Sequence, residues 1–336
     1  MVSGRGADLR GDGADLSGHA RRVFVIFNPA SGRGRGLKRQ ATYLELLERH
    51  LPGFDHGVTA AAGDEYRLAD EALAAGYDTI VAVGGDGTWS HVADRVLASG
   101  RSDVTLGLLP SGTGNDFGRS LGLRFSDPES AVRALASGRT RRLDAGRILT
   151  PSIPGVPGVT TVSDAPAEAR HFLNLVGFGF DIAVLDAAAN ARFLKGEALY
   201  KITAIQQLFS FPGIEAEITA ADGTVESGRY LMVTISNSPF FGGGFPIAPR
   251  ATVEDGLLHA CMIGDAPPLR RMKLFSDAGR GRHVEADEVA EVNAPGFTAR
   301  FGGPVRFEAD GDVFTVPEGE LQVEILPGAL EVLAEA

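Results

Sequence analysis

The stretch Thr79–Val92, TIVAVGGDGTWSHV, limits what this chain can fold into more than any other. Its first part, Thr79-Ile80-Val81-Ala82-Val83, is apolar and β-branched with no polar alternation. A strand of that kind is buried on both faces, as strands of a parallel sheet are. Gly84-Gly85-Asp86-Gly87-Thr88 follows at once, and Val92, Val96 and Leu97 then repeat at helical spacing. A glycine turn between a buried strand and a helix brings backbone N–H groups and a helix N-terminus toward one point, which attracts phosphate. An ordinary βα turn would carry the same glycines. Asp86 favours the phosphate reading, because an acid beside a phosphate is repulsive unless a cation such as Mg²⁺ lies between them.

The same pattern recurs on both sides. Val23-Phe24-Val25-Ile26-Phe27 is a second continuous apolar strand, followed by Asn28-Pro29-Ala30-Ser31-Gly32-Arg33-Gly34-Arg35-Gly36. Leu44, Leu47 and Leu51 then predict a helix over 37–51. The turn is not a P-loop, since no Gly-Lys-Ser/Thr closes it, and Asn28-Pro29 occupies the place of a dinucleotide fingerprint. Arg33, Arg35, Lys38 and Arg39 read as a solvated helix start, or as cations whose cost near a helix N-terminus a bound anion would relieve. Phe54–Thr59 predicts a strand with Thr59 at its C-terminal end, and Asp64–Ala75 a helix stopped by Gly76. Val104–Leu109 is the next strand, leaving through Pro110-Ser111-Gly112-Thr113-Gly114-Asn115-Asp116. Ligands of open α/β sheets bind at the C-terminal ends of the strands, so these glycine-rich turns are expected to line one crevice.

Composition bounds the rest. The chain has 336 residues, enough for two domains, and a net charge of −11, which argues against nucleic acid as a partner. Its one cysteine, Cys261, allows no internal disulfide and fits a reducing compartment. No apolar run reaches the roughly 18 residues of a membrane span. Residues 1–20 lack an apolar h-region and read as a disordered tail.

Asn28-Pro29-Ala30-Ser31-Gly32, Gly84-Gly85-Asp86-Gly87-Thr88 and Gly112-Thr113-Gly114-Asn115-Asp116-Phe117, in that order, resemble the diacylglycerol kinase catalytic-domain family, which includes bacterial soluble lipid kinases and sphingosine and ceramide kinases. NAD kinases and phosphofructokinases share something like the second element alone; the ordered trio is specific. In the second half, Asn237-Ser238-Pro239-Phe240-Phe241-Gly242-Gly243-Gly244 through Ala251 and Asp255-Gly256-Leu257 match that family's second-domain signature. The resemblance covers roughly Arg21 to Leu333.

It implies a doubly wound α/β nucleotide-binding domain over 21–145 and an antiparallel β-sandwich-like lipid domain over 146–328, with the active site in the cleft between them. Residues 329–336 are a candidate return to the first domain. It implies ATP as nucleotide, held by Asn28, Pro29, Ala30, Ser31, Gly32, Thr59, Gly84, Gly85, Asp86, Gly87, Thr88, Gly112, Thr113, Asn115 and Asp116. It further implies a Mg²⁺ held by the Asp255 side chain and the carbonyls of Thr252 and Leu257, oxygen donors suited to that ion. Catalytic roles fall to Asp312, Asp86 and Asp310, with Asp312 in the proton-acceptor position. The chain departs from the family at Ser90, where Asn is usual, at His91 and Asp312, where Glu is usual, and at the bulky Trp89. Aspartate is one methylene shorter than glutamate, so Asp86 is a second candidate for the base.

Strands are expected at Phe172–Val176, Ala216–Thr219, Tyr230–Ser236, Val305–Ala309, Val313–Val316 and Leu321–Leu326, and an exposed loop at Pro151–Ala169. Phe193–Phe211 and Leu269–Phe275, the latter with Arg270, Arg271, Arg280 and Arg282, read either as helices packed on the sheet or as basic, apolar segments that touch a lipid surface. The expected protein is a cytoplasmic, ATP- and Mg²⁺-dependent lipid kinase that meets the membrane peripherally and phosphorylates a lipid hydroxyl, diacylglycerol before others. A homodimer is left open. The rival expectations are an NAD kinase-like enzyme and a catalytically silent nucleotide-binding protein.

Overall fold

The computed structural model describes residues 21–123, 126–150, 170–184 and 206–334, without the side chains of Arg33, Arg35 and Thr150. The expected tail at 1–20, the expected loop at 151–169 and most of the segment 193–211 lie outside the described residues.

The first domain alternates β1 (Val23–Phe27), α1 (Ser31–His50), β2 (Asp55–Val58), α2 (Asp64–Ala74), β3 (Thr79–Gly84), α3 (Asp86–Ala98), β4 (Thr105–Pro110), the short α4 (Asp116–Ser120) and α5 (Pro128–Ala136). All residues of β3 and β4 are buried, as their unbroken apolar runs require. The strands are parallel in the order β2-β1-β3-β4, so the winding reverses between β1 and β3. On one face Tyr43 and Leu47 of α1 and Val132 and Leu135 of α5 cover the sheet. On the other, Leu68 and Ala72 of α2 pack with Trp89 and Val92 of α3. Trp89 is fully buried, and its indole N–H donates to the Ala82 carbonyl at 3.2 Å.

Helix α1 starts six residues before the expected Leu37, so the glycines of 32–36 belong to its first turns and not to the connecting turn. A Cβ on Gly36 would stand 2.5 Å from the Asn28 carbonyl oxygen, and Gly32 and Gly34 adopt positive φ of 59° and 84°. Only glycine lets a helix begin this tightly against the preceding strand.

The second domain contains β5 (Thr140–Thr150), β6 (His171–Phe172), β7 (Leu175–Gly179), β8 (Ile214–Ala220), β9 (Val225–Ser236), the small hairpin β10 (Phe240–Phe241) and β11 (Phe245–Pro246), and β12 (Leu258–Gly264). After helix α6 (Pro268–Ala278) come β13 (Val289–Ala294), β14 (Gly296–Phe301), β15 (Val305–Ala309), β16 (Asp312–Val316) and β17 (Glu320–Leu333). All pairings among β5 to β17 are antiparallel, around a core that includes Phe178, Val233, Met262, Phe297 and Phe307. The strand expected over Phe172–Val176 is interrupted, because the N–H groups of Leu173, Asn174 and Leu175 all turn to the Asp310 carboxylate.

Two long strands join the domains. β5 pairs with β17 from Gln322 to Leu333, with register shifts between Gln322 and Val323 and between Leu326 and Leu330, and Glu331–Leu333 also run parallel to β4. At the second shift Asp144 accepts from the N–H groups of Gly256 and Gly328, each at 2.7 Å. The expected boundary at 145 therefore falls inside a continuous strand.

One feature of the second core is costly. Asp181, in the helical turn after β7, and Glu308 on β15 are 3% and 2% exposed, and both Asp181 oxygens and Glu308 Oε1 lack a hydrogen-bond partner among the described residues. Both acids close on Gly177, where a Cβ would stand 3.3 Å from Glu308 Oε1 and nearer still to Asp181 Oδ2. Burial pushes Asp181 up to about 7 and Glu308 well above its ordinary value, with the Asp181 charge raising Glu308 further. An acid whose folded pKa is raised holds a proton that the unfolded chain releases, so its stabilisation is lost as pH rises from the ordinary carboxyl range through about 7. The melting temperature should then be higher at about pH 5.5 than at pH 7.5, by roughly 2–4 °C per kcal/mol. Calorimetry on Glu308→Gln should show a flatter dependence; an unchanged slope would show that this pair does not carry it.

Candidate active site at the domain junction

β1 to β4 are parallel, so their C-terminal ends deliver Asn28, Thr59, Gly85–Asp86 and Ser111–Asn115 to one edge of the sheet. Asn28 organises this edge across the switch point. Its backbone N–H donates to the Val83 carbonyl at 3.0 Å, and its side-chain N–H₂ donates to Glu65 Oε1 and Thr88 Oγ1, each at 2.9 Å. Its side-chain oxygen accepts from the Ala30 N–H across Pro29 at 3.0 Å. The Ser31 hydroxyl donates to the Asn28 carbonyl and meets the Ser111 hydroxyl. Thr59 is buried, its N–H donating to the Phe27 carbonyl at 2.9 Å, whereas Gly87 and Thr113 face solvent.

The glycines are a matter of space. A Cβ on Gly112 would lie 2.5 Å from the Gly85 Cα and 2.7 Å from Asn115 Oδ1, and one on Gly84 would collide with Thr88. The β3 and β4 turns thus run backbone against backbone. Asn115 takes the left-handed conformation with φ 52°, which suits asparagine better than most residues, and donates to the Gly112 carbonyl at 3.2 Å.

Two carboxylates face this cradle. Asp86, first residue of α3, accepts from the Phe117 N–H at 3.0 Å. Asp116, first residue of α4, accepts from the Gly243 N–H of the second domain at 2.8 Å, while its buried Oδ1 has no hydrogen-bond partner among the described residues. A Cβ on Gly114 would stand 3.1 Å from Asp86 Oδ2 and 3.8 Å from Asp116 Oδ2, so the two acids flank one residue. Burial, then the Asp116 charge, pushes Asp86 up to about 6, and burial raises Asp116 as well. Arg119 Nε stands 3.7 Å from Asp116 Oδ1, an ion pair without a hydrogen bond. Paired desolvated carboxylates matched only in part fit a divalent cation, which would remove the penalty on both.

A second acidic group comes from the β15–β16 hairpin. Asp310, at φ 51°, has both oxygens engaged by the N–H groups of Leu173, Asn174 and Leu175 at 2.7–3.2 Å. Asp312 Oδ2 meets His91 Nε2 at 2.8 Å and accepts from the Arg170 guanidinium at 3.1 Å. Burial pushes the Asp312 carboxyl up, but the His91 hydrogen bond and the His91 and Arg170 charges outweigh it and hold it below the ordinary range. Arg170 also meets the Tyr66 hydroxyl and Asp94 Oδ2, and Asp94 accepts from the His171 N–H at 2.8 Å with its ring at 3.0 Å. The structure therefore gathers Asn28, Ser31, Gly84–Thr88, Gly112–Asp116 and the turns of the second domain at one junction.

Thr252, Asp255 and Leu257 lie apart from this group, in the turn before β12. Thr252 and Asp255 are exposed. Asp255 accepts from the Leu257 N–H at 3.0 Å, and His259 Nε2 stands 3.0 Å from its other oxygen. Both Asp255 oxygens thus have partners within the protein; a carboxylate with backbone carbonyls would be a hard-oxygen set of the kind Mg²⁺ takes.

Glu65, Tyr66, Asp94, Arg170 and His171 were not among the expected site residues. A signal for Asp94 was present: Asp86, Ser90 and Asp94 recur every fourth residue, so they share one face of α3. Nothing local marks Arg170, whose partners lie 76, 104 and 142 positions away in sequence.

Comparison with known proteins agrees with this architecture. The family model described as the diacylglycerol kinase catalytic domain matches residues 22–148, and that described as the YegS C-terminal NAD kinase beta sandwich-like domain matches 174–334. A diacylglycerol kinase of Mycobacterium tuberculosis is 31% identical over 93% of this chain and 94% of its own length. A diacylglycerol kinase of Bacillus subtilis is 27% identical over 89% and 92%, and a Pseudomonas aeruginosa protein named as a YegS-like lipid kinase is 32% identical over 82% of each. The crystal structure of a diacylglycerol kinase from Bacillus anthracis superposes with a TM-score of 0.68 at 21% identity, covering 94% of this chain and 97% of that one, which shows the shared fold. With both domain models matched in order and a relative above 30% identity along nearly its whole length, the chain belongs to the diacylglycerol kinase family of lipid kinases.

Proposed function

We propose that this kinase transfers the γ-phosphoryl group of ATP to the hydroxyl of a membrane lipid, diacylglycerol before others, in the presence of Mg²⁺. The observation that carries the proposal is the Asp86–Asp116 pair, raised in pKa by burial and flanked by glycine turns with no room for side chains. Diacylglycerol is the substrate that the names of the relatives carry. Phosphoryl transfer needs mainly positioning and charge neutralisation. Asn28, Ser31, Thr59, Thr88 and Thr113 with the turn amides would position the nucleotide. Asp86 and Asp116 would hold Mg²⁺, which when bound would neutralise charge on the phosphate oxygens. Asp312 would take the proton of the acceptor hydroxyl. Asp310, with both oxygens on backbone amides, would hold the turn that presents Asp312. Asp255 with the carbonyls of Thr252 and Leu257 would hold a second, structural Mg²⁺.

No helix among the described residues is long and apolar enough to cross a membrane, so the lipid would be met from the water side. Of the expected basic, apolar segments, 269–282 lies among the described residues, and two of its cations are already engaged. Arg270 is paired with Glu288 at 2.6 Å, and Arg271 is buried, its guanidinium bonded to the carbonyls of Ala266, Leu208 and Phe211. Beside the exposed Lys273, Arg280 and Arg282, apolar side chains also face outward: Leu269 at 79%, Met272 at 42% and the nearby Phe209 at 50% exposure. These side chains, on α6 and on the segment that Arg271 ties to it, are the proposed contact.

Presenting a panel of lipids with ATP and Mg²⁺ tests the reaction, with labelled phosphatidic acid from diacylglycerol as the expected product. Asp86→Asn should lower kcat by about 10²–10³ or more without lowering the melting temperature, since it removes one of two crowded charges. Normal turnover in that variant would sink the assignment. Mg²⁺ bound only by the native state should raise the melting temperature by mass action. Asp255→Ala should erase the part due to the structural site, and a full Mg²⁺ shift in the variant would refute that site. Vesicle sedimentation should weaken by about a hundredfold or more in Leu269→Ser with Met272→Ser, as roughly 1.5–3 kcal/mol accompanies burial of each side chain and about 1.4 kcal/mol is tenfold; binding unaffected by both changes would place the contact elsewhere.

A further inference from the structure

We propose that His91 and Arg170 form a clamp on Asp312, fixing its Oδ2 so that Oδ1 alone is offered to the acceptor hydroxyl. The inference rests on the reading of Asp312 as proton acceptor and adds two positioning residues to it. Both donors converge on one oxygen, at 2.8 Å from His91 Nε2 and 3.1 Å from Arg170. The Asp312 side chain itself stays 36% exposed, open to an acceptor molecule. A carboxylate on a single methylene has little reach, so its direction decides whether it meets a substrate atom. Two donors on one oxygen set that direction.

The clamp is itself anchored. The His91 ring stacks on Tyr66 with centroids 4.4 Å apart, and its Nδ1 is buried, 3.9 Å from Glu65 Oε2. One ring nitrogen is therefore used on Asp312 and the other is enclosed, so His91 has no nitrogen left for substrate and is not the base. Arg170 is held by the Tyr66 hydroxyl and Asp94. The charged and titratable groups facing His91 are Glu65 and Tyr66 on α2, Arg170 before β6 and Asp312 on β16. Burial pulls His91 down, but the hydrogen bond to Asp312 and the nearby Glu65 carboxylate outweigh this and raise it, which favours the imidazolium beside Asp312. In the step served, the lipid oxygen bonds to the γ-phosphorus, the bond to the bridging oxygen breaks and ADP leaves. The hydroxyl proton passes to Asp312 Oδ1.

The clamp also keeps Asp312 ionised to lower pH, which separates it from a merely structural contact. His91→Gln keeps a donor but loses the charge. With diacylglycerol in mixed micelles, this variant should lower kcat about tenfold at unchanged KM for ATP. The acid limb of its pH profile should move up by about one unit, the lower end of the effect of a nearby opposite charge. In an Asp312→Asn background, itself down by roughly 10²–10⁴, His91→Gln should have no further effect. A carboxyl ¹³C NMR titration of Asp312, assigned with the Asn variant, should show the same upward shift without any turnover. An unmoved limb and an unmoved titration, with Asp312→Asn inactive, would overturn the clamp and leave the base standing. An Asp312→Asn enzyme with near-normal kcat would overturn the base, and the clamp with it. Equal effects of His91→Gln in both backgrounds would also overturn it, because the residue would then act without Asp312.

Discussion

A carboxylate taken out of water has to be matched by N–H donors, by a cation or by a proton, and the junction of this kinase is built from such carboxylates. They divide by what matches them. Asp144 and Asp310 are matched by backbone amides, and both hold chain segments in place. Asp94 and Asp312 are matched by Arg170 and by His171 or His91, and both are held below their ordinary range against the pull of burial. Asp86 and Asp116 have amide donors, with only the longer Arg119 contact on Asp116 besides, and both are raised. This pair lies among the glycine turns, where a metal–nucleotide complex would complete it.

The two domains cannot be separated along the chain, because β5 and β17 run through both. The last residues of β17 complete the parallel sheet beside β4, while the first residues of the same strand pair with β14. Side chains from α2 and α3 therefore meet those beside β6 and on β16 across a hydrogen-bonded framework. Positioning within fractions of an ångström is what such a framework supplies to phosphoryl transfer.

The departures from the family pattern also become interpretable as a set. His91 and Asp312 are direct partners, so an acid at 91 beside Asp312 would place two carboxylates in contact, and the imidazole removes that conflict. Ser90 is buried next to the Asp310 turn, where a small side chain fits. Trp89 turns inward and fills the core beneath α3, away from the nucleotide turns.

By itself the sequence determined what periodicity and turn chemistry can encode. Unbroken apolar runs at Val23–Phe27 and Thr79–Val83 require strands buried on both faces, and a parallel sheet brings their glycine turns to one edge. The start of α1 was hidden, since glycine normally breaks a helix and only the close approach of Gly36 to Asn28 explains it. Tertiary structure alone decided which charges meet. His91 and Asp312 are 221 positions apart, and Arg271, which reads as a surface cation, is buried among carbonyls. A side chain's sequence neighbours set its local conformation, but its desolvation and its ionic partners are fixed only when distant segments close around it.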